Sequence, residues 1–429
     1  MEKVIVIGSG IAGLTCAYYL KRSYQVTVLE KKSFYGGLCQ SFEISGFYFD
    51  YGGHVAFSKD ETVRNLLETN IDITDEVGES YNYKKGVWVK NPVQNNLFVL
   101  PVGEKIKIIE DFVEKKDDRI YANYGDWLKK KYGIYFAYNY PYLYTKKYWT
   151  VKPEMLETKW VGIRMYTPTL EEVLKGAFTK KTSHVHYSGS TRYPNGGGFG
   201  RFLNNISKEL DILFNANIEK IDISRHKLVY NNKSIDFDKL IVTCPLPDVV
   251  DYIEDIPKNV YNAAKNLNHT SLVLVSLGVK GENIMPQNSK AFYIYDEDKI
   301  ASRVYSTSRY GKNNAPKGCS TIQAEVYYSK YKKLNMSLEE VKEKVIQDFI
   351  DMKLFSREDI IVEDVREEKY ANIMFTHDIY DNRKCVHDFL SEKGIFYAGR
   401  FGSWDYLWSD QSMLDAKRVA ESILSSRGI

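Results

Sequence analysis

Cysteine is sparse in this 429-residue chain, and what there is does not pair. Cys16, Cys39, Cys244, Cys319 and Cys385 are scattered and odd in number, and none forms a CxxC pair. That pattern argues against a disulfide framework and a cysteine-based metal centre, so no metal is expected; it fits free thiols in a reducing cytoplasm. Long apolar runs are missing as well. None reaches the roughly 18 residues of a membrane span, so no membrane insertion is expected. No secretory leader is expected either, because the first residues lead straight into a strand. Charge of one sign is not in excess: the formal net charge is +3, with no dense Lys/Arg run. A polyanion surface, and with it a nucleic-acid partner, is not expected. Internal repeats and low-complexity linkers are absent.

What is present is an ordinary globular composition, 44% hydrophobic and 27% charged, long enough for two or three lobes around one or two large cores. Tyrosine is abundant, at 34 residues. A phenol offers an apolar ring and a hydroxyl together, which suits sugar and nucleotide pockets. Codon bias is the blander reading and the preferred one, since Lys, Asn and Ile are frequent too.

The chain is organised around its first fifty-odd residues. Lys3–Ile7 is a short apolar run of the kind that makes a buried strand. It enters Gly8-Ser9-Gly10-Ile11-Ala12-Gly13, and an amphipathic helical run follows over Leu14–Lys21. A second β-branched strand, Gln25–Leu29, ends on Glu30. Strand, glycine turn, helix, strand and acid stand in the order a dinucleotide site needs. Gly8 allows the tight turn, Gly10 lets backbone approach a pyrophosphate, and Gly13 lets helix and strand pack closely. The helix N-terminus turns free N–H groups and a positive dipole end to the phosphates. Glu30 lies about twenty residues on, where a carboxylate can accept both ribose hydroxyls.

Further along, Asp60–Asn70 reads as a helix and Ser80–Leu100 as strands turning at Lys85-Gly86. Residues 103–178 read as helical. Arg192–Gly200 is a second glycine-rich turn leading into a helix over Phe202–Leu210. Asp211–Ile223 reads as one strand, Phe237–Pro245 as another, and residues 268–330 as long strands. Leu338–Met352 has the apolar spacing of a helix covering that sheet. Gly394–Tyr406 reads as a strand ending in a turn, and Ser409–Met413 opens a helix through Leu424.

Glu30 is followed by Lys31-Lys32-Ser33-Phe34-Tyr35-Gly36-Gly37, and then by Phe49-Asp50-Tyr51-Gly52-Gly53-His54-Val55-Ala56-Phe57-Ser58. The acid-then-GG extension resembles the flavoprotein superfamily of amine oxidases, protoporphyrinogen oxidase and UDP-galactopyranose mutase. The Asp-x-Gly-Gly-His core with Phe-Ser after it is most similar to the mutase, in its eukaryotic form. The resemblance runs on through Asn91–Asn96, the spacing of Trp149 and Arg164, Pro194–Gly200, the spacing of Tyr293, Arg303 and Tyr310, and Gly399-Arg400-Phe401-Gly402-Ser403-Trp404-Asp405-Tyr406.

That resemblance implies an α/β fold: an FAD-binding Rossmann-like lobe of the glutathione-reductase type, an inserted helical lobe, and an antiparallel β-sheet substrate lobe. The expected boundaries are 1–75, 191–250 and 385–429 for the first, 103–190 for the second, and 76–102 with 251–384 for the third. FAD would be held by Gly8, Gly10, Ile11, Ala12, Gly13, Glu30, Lys31, Gly36, Gly37, Leu38, Gly53, His54, Ile218, Gly399, Arg400, Gln411, Ser412 and Met413. The substrate would meet Asn91, Gln94, Trp149, Tyr293, Tyr310, Tyr406 and Asp410. Catalytic roles fall to His54, Arg164, Arg303 and Arg400, the arginines suiting a diphosphate because the planar fork makes two charge-assisted hydrogen bonds.

The activity implied is that of a nucleotide-sugar mutase interconverting UDP-galactopyranose and UDP-galactofuranose through a reduced-FAD N5–sugar adduct, with NADPH or NADH as reductant and polysaccharide or glycoconjugate assembly as its setting. Four positions depart from the pattern: Asn91 in place of a tyrosine, Thr145 in place of an asparagine, Trp408, and Asp410 in place of an asparagine. No proline accompanies Tyr370. These keep open the same chemistry on another nucleotide sugar, a deoxyhexose, N-acetylhexose or heptose. An oxidoreductase of the amine oxidase or protoporphyrinogen oxidase type is the other alternative. A homo-oligomer is left open.

Overall fold

The protein is described by a computed structural model covering residues 1–183 and 189–426. Its first layer is a five-stranded parallel sheet in the spatial order Ile395–Tyr397, Lys239–Val242, Lys3–Ile7, Gln25–Leu29, Asp211–Leu213. The central strand pairs residue for residue with both neighbours, Val6 lying between Val28 and Ile241. Val4, Ile5, Val6 and Ile7 are all buried, as a strand covered on both faces requires.

The helix after the glycine turn spans Ile11–Leu20 and starts directly from Gly10, three residues earlier than the apolar pattern suggests. It is not amphipathic. Sheet lies beneath it and the helix Ser409–Ser425 lies against it, so Cys16, Ala17 and Leu20 meet Ala416, Ala420 and Ile423. The small alanines let the two helices approach closely.

A second, seven-stranded sheet has the order Ile360–Ile373, His269–Lys280, Cys319–Tyr328, Arg303–Tyr305, Ala291–Ile294, Ser80–Lys84, Val87–Lys90. All pairings are antiparallel except Ala291–Ile294 with Ser80–Lys84. The period of two along Cys319–Tyr328 sorts its residues. Ile322, Ala324 and Val326 join the core beneath Leu338–Asp351, against Val341, Val345, Ile346 and Phe349. Gln323, Glu325 and Tyr327 point to the other face. That helix opens with a Ser337–Glu340 capping box. Helices over Val102–Glu114, Tyr124–Tyr132, Ile134–Asn139, Pro141–Tyr148 and Leu170–Phe178 make a helical lobe. Its core is largely aromatic, with Tyr124, Trp127, Tyr132, Phe136, Tyr140, Trp149 and Trp160.

Three expectations are corrected. Strand structure over Ser80–Leu100 ends at Lys90; beyond Pro92, which has no N–H to donate, the chain runs in tight turns over Val93–Asn95 and Leu97–Val99. Asp211–Ile223 is two strands. The chain leaves the parallel sheet after Leu213, passes Asn215 at φ 53°, and Ile218–Asp222 pairs in a separate sheet with Lys227–Tyr230. Phe202–Leu210 is not one helix. A 3₁₀ turn spans Phe199–Leu203 and a single α-turn spans Asn204–Ser207, because Phe199, Phe202, Leu203 and Ile206 are all needed in the core there and Glu209 takes φ 60°.

Phe349 is fully buried under the second sheet. Phe349→Ala should lower unfolding free energy in urea by about 3–5 kcal/mol, the cost of a core cavity of that size.

Candidate functional site

The glycine turn meets each demand in a different way. A Cβ on Gly13 would lie 1.9 Å from the Gly8 carbonyl oxygen, so only glycine fits. Gly8 takes φ 96° against Thr243. Gly10 faces open space, with nothing within 4 Å of a built Cβ. It also caps the helix without a side-chain hydrogen bond, which leaves the first N–H groups directed at that opening. Glu30 is 8% exposed, and its carboxylate accepts from Ser9 N at 2.9 Å, Ser9 Oγ at 2.6 Å and Lys32 N at 2.8 Å. The Gly36 N–H donates to the Ser9 carbonyl at 2.8 Å, bringing Gly36 and Gly37 onto the turn. Ala216 N donates to the Glu30 carbonyl, so the segment ending at half-buried Ile218 lies beside the acid. Lys31 is exposed and Leu38 half-buried on the turn Gly37–Cys39.

The last fifty residues close the same cleft. Gly399, at φ 76°, comes so near Ala12 that a Cβ would sit 2.3 Å from the Ala12 Cβ. Its N–H donates to Asp415 at 2.8 Å. Gln411 Oε1 accepts from Trp408 N, Ser412 N donates to the Trp408 carbonyl, and Met413 packs with Ile11, Leu14 and Cys39. An open glycine turn, an uncapped helix start and a buried ribose-height carboxylate together fit a dinucleotide. The residues that would hold it come from both ends of the chain.

At the far end of the cleft stands Gly53-His54. Gly53 N donates to Glu325 Oε1 at 3.1 Å. Glu325 is fully buried, accepts both Nε and Nη2 of Arg303 at 2.6 Å, and accepts the Tyr327 hydroxyl at 2.7 Å. His54 Nδ1 donates to the Gly52 carbonyl at 2.8 Å, which leaves Nε2 as an acceptor. Burial first, then the Arg303 and Arg400 charges, push its pKa down to about 4, so the ring is neutral at pH 7. Burial likewise raises the phenols of Tyr293, Tyr310 and Tyr327, which stay protonated and able to donate.

Arg164 and Arg400 meet at one ring. Their guanidinium carbons lie 4.4 Å and 5.2 Å from the centre of Tyr406. Arg164 also lies 4.8 Å over Trp408, and donates to the carbonyls of Trp160 at 3.0 Å and Tyr406. Arg400 donates to the Leu407 carbonyl at 3.1 Å. Tyr293 pairs across the sheet with Arg303 and touches Tyr144 edge-on at 5.6 Å. Tyr144, Tyr148, Trp149 and Tyr406 continue that contact as an unbroken aromatic wall. Trp149 is 4% exposed and stands behind the wall, against Trp160.

The structure therefore gathers His54, Arg303 and Tyr293 in one group and Arg164, Arg400, Tyr406 and Trp149 in another, joined by tyrosines. Asn91 and Gln94 stand at the end of a hairpin. Asn91 accepts from Asn82 at 3.3 Å, and Gln94 reaches the Arg164 segment through the Tyr166 carbonyl at 2.8 Å. Tyr310 stacks on Tyr193 at 5.3 Å. Asp410 lies in the first turn of Ser409–Ser425, with one buried oxygen lacking a hydrogen-bond partner. Sequence reasoning missed Glu325, Tyr144, Tyr148 and Tyr327. Glu325 could have been found as the one acid in the otherwise apolar and polar-neutral run Thr321–Tyr328.

A profile of the family described as flavin containing amine oxidoreductase matches residues 11–424. The chain belongs to that family. Among curated proteins, the 1-hydroxycarotenoid 3,4-desaturase of Flavobacterium sp. (strain P99-3) is 24% identical over 382 residues, covering 74% of this chain and 75% of that protein. Among solved structures, reduced UDP-galactopyranose mutase superposes with a TM-score of 0.92 at 24% identity, over 99% of this chain and 96% of that one. A protein described as a protoporphyrinogen oxidase from Exiguobacterium sp. 255-15 gives 0.77 at 16%, over 99% of both chains. The fold is that of this flavoenzyme group: a Rossmann-like lobe with an inserted helical lobe and an antiparallel sheet lobe.

Two measurements test the site. Gly13→Ala should yield protein that purifies without yellow colour, because the added methyl collides with backbone; a flavin spectrum at wild-type stoichiometry would contradict the packing. His54 binds its proton only near pH 4 when folded but near 6.5 when unfolded, so the unfolded chain takes up more protons between these values. Stability should fall as pH drops through that window, by at most about 1.4 kcal/mol per unit, and His54→Gln should flatten the slope in urea titrations.

Proposed function

We propose that the protein is an FAD-dependent nucleotide-sugar mutase that interconverts the pyranose and furanose forms of a nucleoside-diphosphate sugar, with UDP-galactose as the first candidate. The observation that carries the reading is the cluster of Arg164 and Arg400 on the Tyr406 ring, continued by a tyrosine wall to Arg303. A long hydrocarbon substrate calls for an apolar channel. This front carries fixed cations and protonated phenols, which suit a diphosphate and sugar hydroxyls.

FAD, when bound and reduced, would supply the nucleophile that displaces the nucleotide from the anomeric carbon. NADPH or NADH would reduce it. The protein holds the leaving diphosphate as charge develops, with Arg164 and Arg400 as the cations and Tyr293 and Tyr406 as hydroxyl donors. Arg303 is kept in register by its two hydrogen bonds to Glu325. His54 keeps its proton on Nδ1 and offers Nε2 as an acceptor. A different sugar on the same machinery is favoured by Asp410, whose partnerless oxygen offers an acceptor where the pattern has an amide.

Purified protein reduced anaerobically with dithionite should convert one sugar of a nucleotide-sugar panel to its furanose form, read by anion-exchange chromatography and NMR, and the oxidised enzyme should not. Arg303→Ala should lower that rate about 10²–10³-fold. Absence of any conversion, with oxidised flavin instead bleached by an amine, porphyrinogen or carotenoid, would replace the mutase by an oxidoreductase.

A further inference from the structure

Asn372 carries a buried donor that the fold leaves unused. It lies near the end of the edge strand Ile360–Ile373, paired with Thr270, and is 4% exposed. Its backbone N–H donates to the Thr270 hydroxyl at 3.2 Å, and its Oδ1 accepts the Tyr148 hydroxyl at 3.0 Å. Its Nδ2 has no hydrogen-bond partner among the described residues. An idle buried N–H is costly and uncommon, and it calls for a reason.

The surroundings supply one. Ala371, the preceding residue, gives its carbonyl to Arg400 at 3.5 Å. Tyr148 belongs to the aromatic wall, against Tyr144, Trp149 and Tyr327. Burial first, and then the Tyr406 phenol, raise the pKa of Tyr148, while the Arg303 charge lowers it, so the hydroxyl keeps its proton and stands in the field of both. Tyr370, which the sequence marks in this segment, is committed elsewhere: its hydroxyl donates to Asp248 at 2.6 Å.

A phenol has one proton to donate, and here Asn372 takes it. The two ends of a side-chain amide are nearly equal in size, so a half-turn exchanges them within the same space. We infer that Asn372 is a positioning residue that switches Tyr148 between two roles. In the free chain the Tyr148 O–H donates to Oδ1. With substrate bound the amide is reversed, Nδ2 donates to the Tyr148 oxygen, and the Tyr148 O–H donates to an oxygen of the nucleoside-diphosphate sugar. One hydrogen bond becomes two, and the idle N–H gains a partner. The amide oxygen left in its place is tolerated unpaired more readily than an N–H. The switch rests on the mutase reading, which supplies an oxygen-rich ligand at the wall; a hydrocarbon would leave the Tyr148 proton on Asn372.

The probes are UDP-galactose and the other members of the nucleotide-sugar panel, titrated into flavin-loaded protein and followed by tryptophan fluorescence. Asn372→Asp offers Tyr148 acceptors only. Near pH 8.5 it should hold the phenol proton and weaken binding about tenfold or more relative to wild type. Near pH 5.5 the carboxyl protonates and can itself donate, so the loss should shrink. Tyr148→Phe should weaken binding by a similar factor at both pH values, and N372D/Y148F should be little weaker than Y148F alone. A residue that only braced Tyr148 would be replaced by aspartate without loss, since a carboxylate accepts the same O–H. Wild-type binding by N372D near pH 8.5, a loss as large near pH 5.5, wild-type binding by Y148F, or additive losses in the double variant would overturn the switch and leave the mutase standing. A wild type that binds no nucleotide sugar would overturn the mutase reading, and the switch with it. Flavin absorbance and circular dichroism establish that each variant is folded, and Y148F carries the test alone if N372D is not.

Discussion

Glu325 is the constraint on which the site depends. It is a fully buried carboxylate in the middle of a sheet strand, and such a group is tolerated only if its charge is compensated and its lone pairs are used. Four donors meet it: two from Arg303, one from Tyr327 and the backbone N–H of Gly53. The last is decisive for architecture. Gly53 belongs to the nucleotide-binding part of the chain and Arg303 to the second sheet, so this buried ion pair joins the glycine-turn cleft to the sheet. Gly53 has no room for a side chain there, a Cβ lying 3.0 Å from the Tyr305 ring and 3.2 Å from Arg303 Nη2. Gln323, two residues before Glu325, joins the same parts by accepting from the Asp50 N–H and donating to the Asp50 carbonyl, both at 2.9 Å and both buried, while Lys32 with Glu368 and Arg366 with the Tyr51 hydroxyl lie nearer the surface. Contacts near the surface of that kind are worth little each.

The tyrosines gain their meaning from the same geometry. Codon bias accounts for their number as well as chemistry does. Their placement is another matter, for Tyr144, Tyr148, Tyr293, Tyr327 and Tyr406 come from four separate elements and meet edge to face or stacked along one surface. Rings so packed have little rotamer freedom left to lose when a ligand binds, and two of their hydroxyls are already placed, that of Tyr327 donating to Glu325 and that of Tyr148 to Asn372. On the proposed reading, such a wall would orient the sugar mainly by shape, with the arginines at the charged end.

Much of this was legible in the sequence and some was not, for physical reasons. Gly8, Gly10, Gly13 and Glu30 announce themselves because a pyrophosphate and a ribose demand backbone approach and a carboxylate at fixed spacing, which is local information. The strand at Lys239–Val242 and the helix at Leu338–Asp351 read correctly because their apolar periods are long and uninterrupted. The misread elements are those in which tertiary demand overrides period. Asp211–Ile223 alternates like one strand, yet Glu30 uses both its N–H and its carbonyl to bend that chain around the ribose site. The helix at Ile11–Leu20 looked one-sided only because the covering helix, some 400 residues away, is invisible to a window of ten. Glu325 and Lys147 are of this type too. Lys147 is 4% exposed, donates to the Asp296 carbonyl, and has its pKa pushed down to about 7 by burial and then by Lys332. Nothing in Lys146-Lys147 distinguishes the buried lysine from its exposed neighbour.

The three arginines of the site are not equivalent, and the difference bears on how charge is apportioned. Arg303 is held at two points by a carboxylate, which fixes its geometry and leaves N–H groups to spare, while its charge still lowers the proton affinity of His54. Arg400 is held by backbone carbonyls, of Leu407 and, at 3.5 Å, Ala371. Carbonyl dipoles orient a guanidinium but do not cancel its charge, and among the described residues Arg400 makes no ion pair. Its charge is felt by His54, whose proton affinity is lowered first by burial, then by Arg303 and then by Arg400. On the proposed reading, an anion between Arg400 and Arg303 would be drawn by both charges and aligned chiefly by Arg303, whose guanidinium Glu325 holds at two points, whereas the carbonyls of Leu407 and Ala371 orient Arg400 without opposing its charge.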